Sequence, residues 1–397
     1  MSLYAFDGTW NKKKDGEDPD YTNTNVVRFH AAYAKNTGRP EFYVSGVGTR
    51  HKAIGRVLGG VFGLGELTRI EEGYKQLCRE WIATSGKAPI DIVGFSRGAA
   101  TALDFCHYLL DHGIRNPDTG SQVADAPEIR FLGLWDVVAA FGLANLGNQV
   151  LNFGHHLDLP RGNLKFCFHA MALDERRLSF LPTRLPGACE VWFRGVHSDI
   201  GGGNGNRGLN DITLRWMLRK AQASGLPVTD ADVAALQPQV TEPKPAKKLP
   251  VPVRAISSTD RRHYTVTDLE GWTSPPATCP VEAESDERKV SPVGASGIEL
   301  LPVEVRRRIA AMWEAADKVA HDAEYNLDHV RAWLLNLIEG RVILVTNEAE
   351  LTQARVNIGV LISTAAQNAK RRDFRVLTEF FLNEALFSLP HLFPLRD

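Results

Sequence analysis

Residues 90–105 read IDIVGFSRGAATALDF. An apolar, β-prone run enters Gly94-Phe95-Ser96-Arg97-Gly98, and a small-residue helical pattern starts at once with Ala99-Ala100-Thr101-Ala102. A strand, a sharp turn and a helix around G-x-S-x-G form the context of a nucleophile elbow, which makes Ser96 the candidate nucleophile. At such a turn the serine takes a strained backbone conformation, so Gly94 and Gly98 keep side chains out of the crowded approach of strand to helix. The helix beginning near Arg97 aims amide groups and the positive end of its dipole at the serine. The Arg97 amide is therefore the first candidate donor to an oxyanion. A purely structural Gly-rich turn is the competing reading.

On the N-terminal side, residues 3–6 form a short apolar strand that ends in Asp7-Gly8-Thr9-Trp10-Asn11. Ligands of open α/β sheets gather beyond the carboxyl ends of strands, so Asp7, Gly8 and Thr9 stand where a second oxyanion donor or a site-supporting carboxylate belongs. Capping of the turn by Asp7 and Thr9 is the alternative. Residues 24–34 read as a helix, 41–46 as a second strand, and 67–82 as an amphipathic helix with Ile70, Tyr74, Leu77, Cys78 and Trp81 at spacings of three and four. The glycine-rich run 55–65 lacks G-K-[ST] and the Rossmann pattern, so it is no phosphate loop. The alternation of strand and helix predicts an α/β fold with a mostly parallel sheet and helices on both faces.

Downstream, EIRFLGLW at 128–135 is a strand that delivers Asp136 at its tip, placed to orient a histidine or to cap the next turn. EVWF at 190–193 is another strand and runs into RGVHSDIGGGN at 194–204, which carries His197. Ser96, Asp136 and His197 follow the chain order of the α/β hydrolases, each at the end of a predicted strand. Asp199 has two readings, a brace for this loop or a rival to Asp136. A metal set of Asp7, His197 and Asp199 has no ligand spacing that demands it, and a triad needs no cofactor.

The chain has 397 residues, 44% hydrophobic and 23% charged, with a net charge of −1. That balance gives no nucleic-acid surface. Five scattered cysteines without C-x-x-C spacing read as reduced thiols in a protein made in the cytoplasm. The opening MSLYAFDGTWNKKKDG lacks the charged and apolar regions of a signal peptide, and no apolar run approaches the roughly 18 residues of a membrane span. Membrane contact would therefore be peripheral or follow delivery. Residues 1–225 read as the catalytic core, 226–300 as a proline-rich linker or surface loops, and 301–397 as a helical region packed on the core. The leucine and aromatic stripes of that last region read as packing, with a membrane-binding face as the alternative.

Five motifs in order resemble a bacterial α/β-hydrolase family: FDGTWN at 6–11, GFSRGA at 94–99, FLGLWDVVAAFG at 131–142, HAMALDERR at 169–177 and GVHSDIGGGN at 195–204. Characterised members of that family are phospholipase effectors of the type VI secretion system. The resemblance covers about residues 1–220 and implies an α/β-hydrolase-like core with its triad on Ser96, Asp136 and His197. It further implies hydrolysis of glycerophospholipids at the A1 or A2 ester and delivery to a competitor's periplasm. A secretion apparatus and a cognate immunity protein would then be partners. Two other readings stand beside it: a soluble carboxylesterase or thioesterase for small acyl substrates, and a non-catalytic binding module on a hydrolase scaffold.

Overall fold

Alternate residues of the first strand, β1 (Ser2–Phe6), serve opposite layers: Leu3 and Ala5 join one hydrophobic cluster, Tyr4 and Phe6 the other. This period of two, with both faces apolar, is what a central strand covered by helices on each side requires. The computed structural model describes residues 2–8, 11, 13, 18, 20–38, 42–46, 61–138 (side chains from 68), 159–160, 162–177, 180, 183–185, 187–245, 254, 256 and 258–293. Thr9, the part of the glycine-rich run before 61, and the helical patterns from 302 onward lie outside these residues.

Helix α1 (Asn25–Thr37) starts where the Thr24 side chain accepts a hydrogen bond from the Val27 amide, and stops at Gly38, whose φ of 63° suits a residue without a Cβ. It leads to β2 (Phe42–Val44), helix α2 (Val61–Ala83) and β3 (Ile90–Phe95), followed by helix α3 (Arg97–His112). A small antiparallel hairpin, β4 (Ile114–Arg115) and β5 (Gln122–Ala124), precedes the next strand of the main sheet. Strands β6 (Ile129–Trp135), β7 (Leu164–Ala172) and β8 (Cys189–Phe193) come next, then a single helical turn α4 (His197–Gly201) and helix α5 (Arg207–Ala223). Part of the stretch expected as linker or loops is ordered against this frame. It holds α6 (Asp230–Ala234), β9 (Arg262–His263) and β10 (Val281–Glu282).

The main sheet has eight strands in the order β10-β9-β8-β7-β6-β3-β1-β2, and its pairs are parallel, as expected. Helices α1 and α5 pack on one face with Phe29, Trp216 and Met217, while α2 and α3 pack on the other with Leu77, Leu103 and Phe105. Each fully buried side chain of this size contributes roughly 1.5–3 kcal/mol. The chain leaves β1 toward β2 on one side and returns to β3 on the other. The strand order therefore reverses beside β1, and the carboxyl ends of β1 and β3 flank the position where open α/β sheets bind their ligands.

The turn after β3 fits there only because of its glycines. A Cβ on Gly94 would lie 2.6 Å from the Ala99 Cα, and one on Gly98 would lie 2.5 Å from the Asp7 carbonyl oxygen. Both obstacles are backbone, which cannot swing away as a side chain would. Gly98→Ala is expected to cost about 1–3 kcal/mol by forcing β1 and α3 apart. A lower urea midpoint than wild type checks it, and an unchanged midpoint would show that the strand ends yield.

Candidate active site

Ser96 sits between β3 and α3 with φ 59° and ψ −127°, a conformation that L-residues adopt only under constraint. Its amide donates to the Trp135 carbonyl at 3.0 Å, so the sheet ladder continues into the turn and holds it. Asp136, one residue past β6, is also outside the usual regions at φ 44°. Its amide donates to the Ala170 carbonyl at 2.8 Å, and the next amide, of Val137, donates to His169 Nε2 at 3.1 Å. Two strained residues thus stand at adjacent strand ends, each fixed by its neighbour in the sheet.

The structure brings together the three residues expected from chain order. His197, the first residue of α4, places Nε2 2.8 Å from Ser96 Oγ and Nδ1 2.6 Å from Asp136 Oδ2. Ser96, His197 and Asp136 are all buried. The imidazole is held between the rings of Phe95 (centroids 4.6 Å apart) and Phe180 (4.8 Å), and its amide donates to Glu175 Oε2 at 3.2 Å. Glu175 is itself gripped by Arg177, whose Nε and Nη2 lie 2.8 and 2.7 Å from its two oxygens.

Asp136 is enclosed completely, and each carboxylate oxygen has two donors. Oδ1 accepts from the Ala172 amide at 2.9 Å and Arg254 Nη1 at 2.6 Å, while Oδ2 faces His197 and accepts from Arg254 Nη2 at 2.9 Å. Burial alone would push this acid up, but the Arg254 charge and the His197 hydrogen bond outweigh it and hold Asp136 well below the ordinary carboxylate range. Burial is also the main influence on His197 and lowers it despite the adjacent Asp136. Nδ1 must then carry the hydrogen shared with Asp136, leaving Nε2 as a base toward the Ser96 hydroxyl.

The other expected residues take supporting places. Asp199 is fully buried and does not face the imidazole: Oδ2 accepts from the Val196 and Lys244 amides at 2.9 and 3.0 Å, and Oδ1 from Asn204 and Asn206 at 2.7 and 2.8 Å. It braces the loop that carries His197. Asp7 Oδ1 accepts from the Gly8 amide at 2.7 Å, and Oδ2 from Thr24 at 2.8 Å and Tyr43 at 2.7 Å. The Gly8 amide is thus engaged with its neighbour's carboxylate rather than aimed at an oxyanion. Its turn still abuts Ser96, since a Cβ on Gly8 would be 3.2 Å from the Ser96 Cβ. Thr9 is outside the described residues. Arg97 opens α3, where its amide belongs to the first helical turn. Among the described residues no group of three or more His, Cys, Asp or Glu is arranged to hold a metal, and the Asp7, His197, Asp199 set is dispersed among the separate partners above.

Sequence reasoning missed three contributors. His169 lies in the apolar run FCFHAMA, fully buried, with Nδ1 3.0 Å from Glu190 Oε1; a histidine inside a buried strand was the available signal that a polar partner lies nearby. Glu175 belongs to a quoted motif but had no assigned role. Arg254, in a proline-rich stretch, had no local signal at all.

A family model described as "T6SS, Phospholipase effector Tle1-like, catalytic domain" matches residues 3–126 and 114–220. No curated protein matches the chain. A solved structure, described as that of an uncharacterized protein from Pseudomonas aeruginosa, aligns at 18% identity with a TM-score of 0.39. The alignment covers 100% of this chain but 64% of that one.

Burial raises Asp7 to about 6, because Tyr43, Thr24 and the Gly8 amide only partly compensate for lost hydration. A carboxyl whose folded value exceeds its unfolded value favours folding fully below the unfolded value, near 3.8, and loses that contribution as pH rises through about 6. Wild type should therefore lose stability relative to Asp7→Asn between pH 4 and 7, by on the order of 1–3 kcal/mol. Paired urea unfolding curves across that range measure the difference, and parallel pH profiles would contradict it.

Proposed function

The chain belongs to the Tle1-like catalytic-domain family of type VI secretion system phospholipase effectors, and we propose that it is a serine hydrolase that cleaves carboxylic ester bonds of glycerophospholipids, of the phospholipase A1 or A2 type. The observation that carries this reading is the hydrogen-bonded series Ser96 Oγ, His197, Asp136, with steps of 2.8 and 2.6 Å. In the proposed mechanism His197 Nε2 takes the Ser96 proton as Oγ attacks the ester carbonyl, and Asp136 holds the tautomer and stabilises the imidazolium. The oxyanion is stabilised by the Arg97 amide at the α3 N-terminus. His197 then protonates the departing alkoxide, and water activated by the same imidazole releases the fatty acid from Ser96.

Delivery by a type VI apparatus to a target cell, with an immunity protein in the producer, follows from the family and belongs to the same proposal. No helix among the described residues is long and apolar enough to cross a membrane, so the proposed approach to lipid is peripheral. Hydrolysis of small soluble esters by the same residues is the second reading, favoured by how deeply Ser96 is buried, at 7% exposure.

Purified wild type and Ser96→Ala are compared on mixed phospholipid vesicles, with free fatty acid and lysophospholipid resolved. Wild type is expected to release both, and Ser96→Ala to lose about 10⁴–10⁶ in rate. The lysolipid isomer gives the position of attack. Activity on short-chain esters alone would transfer the mechanism to the second reading, and activity retained in Ser96→Ala would end it. Because His197 is lowered by burial, the acid limb of kcat/KM is expected below the ordinary histidine value of 6.5. A limb at or above that value would contradict the buried, neutral base.

A further inference from the structure

The family match ends at residue 220, yet the carboxylate of the proposed triad is held by a side chain at 254. The described residues of the intervening chain, up to 245, stay close to the site. The Gln237 amide donates to Asp211 at 2.7 Å and the Gln239 amide to the Gly208 carbonyl at 3.3 Å. Thr241 Oγ1 donates to Asn206 at 2.6 Å, and Asn206 in turn donates to the Glu242 carbonyl at 3.1 Å. The Lys244 amide then reaches Asp199 Oδ2 at 3.0 Å, in the loop that carries His197. On the far side of Arg254, Ile256 is buried in a cluster with Met171, Leu173, Trp192 and Val266. Described residues on both sides of the arginine are therefore held against this frame.

Arg254 is fully buried at its side chain and uses its two terminal nitrogens on four acceptors: both Asp136 oxygens, the Ala172 carbonyl at 2.7 Å and the Phe180 carbonyl. Three of the structures that shape the imidazole's surroundings meet in this one group: the end of β6 with Asp136, the end of β7, and the backbone of Phe180, whose ring packs on His197. A planar fork matches a carboxylate in two places at once, which a lysine ammonium does not. A buried guanidinium beside the carboxylate also changes what the imidazole experiences. Asp136 remains ionised, while the nearby cation offsets part of its pull on the imidazolium.

We propose that Arg254 is a positioning residue of the hydrolase site: supplied by the segment beyond the matched family region, it locks the Asp136 carboxylate toward His197 and sets the charge that the imidazole meets. The catalytic unit therefore extends past residue 220 and is complete only with this segment docked. This inference rests on the serine-hydrolase reading. The charged groups facing the His197–Asp136 pair are Arg254 and Glu175 with its partner Arg177. Asp174 with Arg194 and Asp199 stand on the strand ends and loop around them, and His169 lies behind Val137. Among these, Arg254 is the cation in direct contact with Asp136.

The test uses full-length wild type, Arg254→Lys and Arg254→Ala. The low-field proton resonance of His197 Nδ1–H, followed across pH, reads the bond to Asp136 without any substrate. Steady-state kinetics on p-nitrophenyl butyrate read catalysis. In Arg254→Ala the titration is expected to move to higher pH, since a cation that disfavours the imidazolium is gone. Millimolar guanidinium chloride should restore turnover there. In Arg254→Lys, with charge kept and fork lost, the titration should stay near wild type while kcat falls about 10²-fold with little change in KM. An unmoved titration in a folded Arg254→Ala overturns the proposal. Where that variant fails to fold, wild-type kcat in Arg254→Lys overturns it. If wild type is inert on both the ester and phospholipid vesicles but the titration still moves on replacing Arg254, the positioning role stands and the hydrolase reading falls.

Discussion

A carboxylate removed entirely from water can stay ionised only if protein groups replace its hydration, and Asp136 imposes that demand on everything near it. Taking such an ion out of water costs several kcal/mol, offset only where geometry is good and each lone pair is used. Four donors meet the demand here: the Ala172 amide, His197 Nδ1 and two nitrogens of Arg254. They come from the end of β7, from α4 and from residue 254, so satisfying one side chain fixes the relative positions of three segments far apart in the chain.

The same economy appears in the backbone. Ser96 and Asp136 both hold positive φ angles, and neither is glycine. Such conformations persist when surrounding structure over-determines them. The parallel register of β3, β6 and β7 does so, linking the Ser96 amide to Trp135 and the Asp136 amide to Ala170. Behind them a second histidine–carboxylate pair, His169 and Glu190, holds the Val137 amide, and Arg184 at 2.7 Å closes off the remaining Glu190 oxygen. Ser96 and Asp136 thus both rest on interior strands of the sheet.

The region after α5 illustrates how composition and context diverge. Its prolines and lysines lower the prospect of regular structure, and the described residues there form only short elements. Yet β9 and β10 extend the sheet, and Glu282 is buried on Lys220 of α5 at 2.6 Å, while Glu287 meets His263 at 3.0 Å and Arg215 at 3.1 Å. Charged side chains do the work that apolar stripes do elsewhere. An ion pair leaves no periodic trace in a sequence, so these contacts could not be read from the stretch itself.

By itself the sequence determined the alternation of strands and helices, the tight glycine turn at Ser96, and the placing of Ser96, Asp136 and His197 at strand ends, because each depends on local chemistry: apolar period, glycine at a tight turn, a polar residue at a strand tip. It left Asp199 open between brace and rival to Asp136, and it grouped Gly8 with the oxyanion donors. Only the tertiary structure decided that Asp199 faces its own loop, that the Gly8 amide is held by Asp7, and that Arg254 closes around Asp136. The physical reason is distance along the chain. A hydrogen bond between residues 118 positions apart is set by how layers pack, and no window of sequence contains both partners.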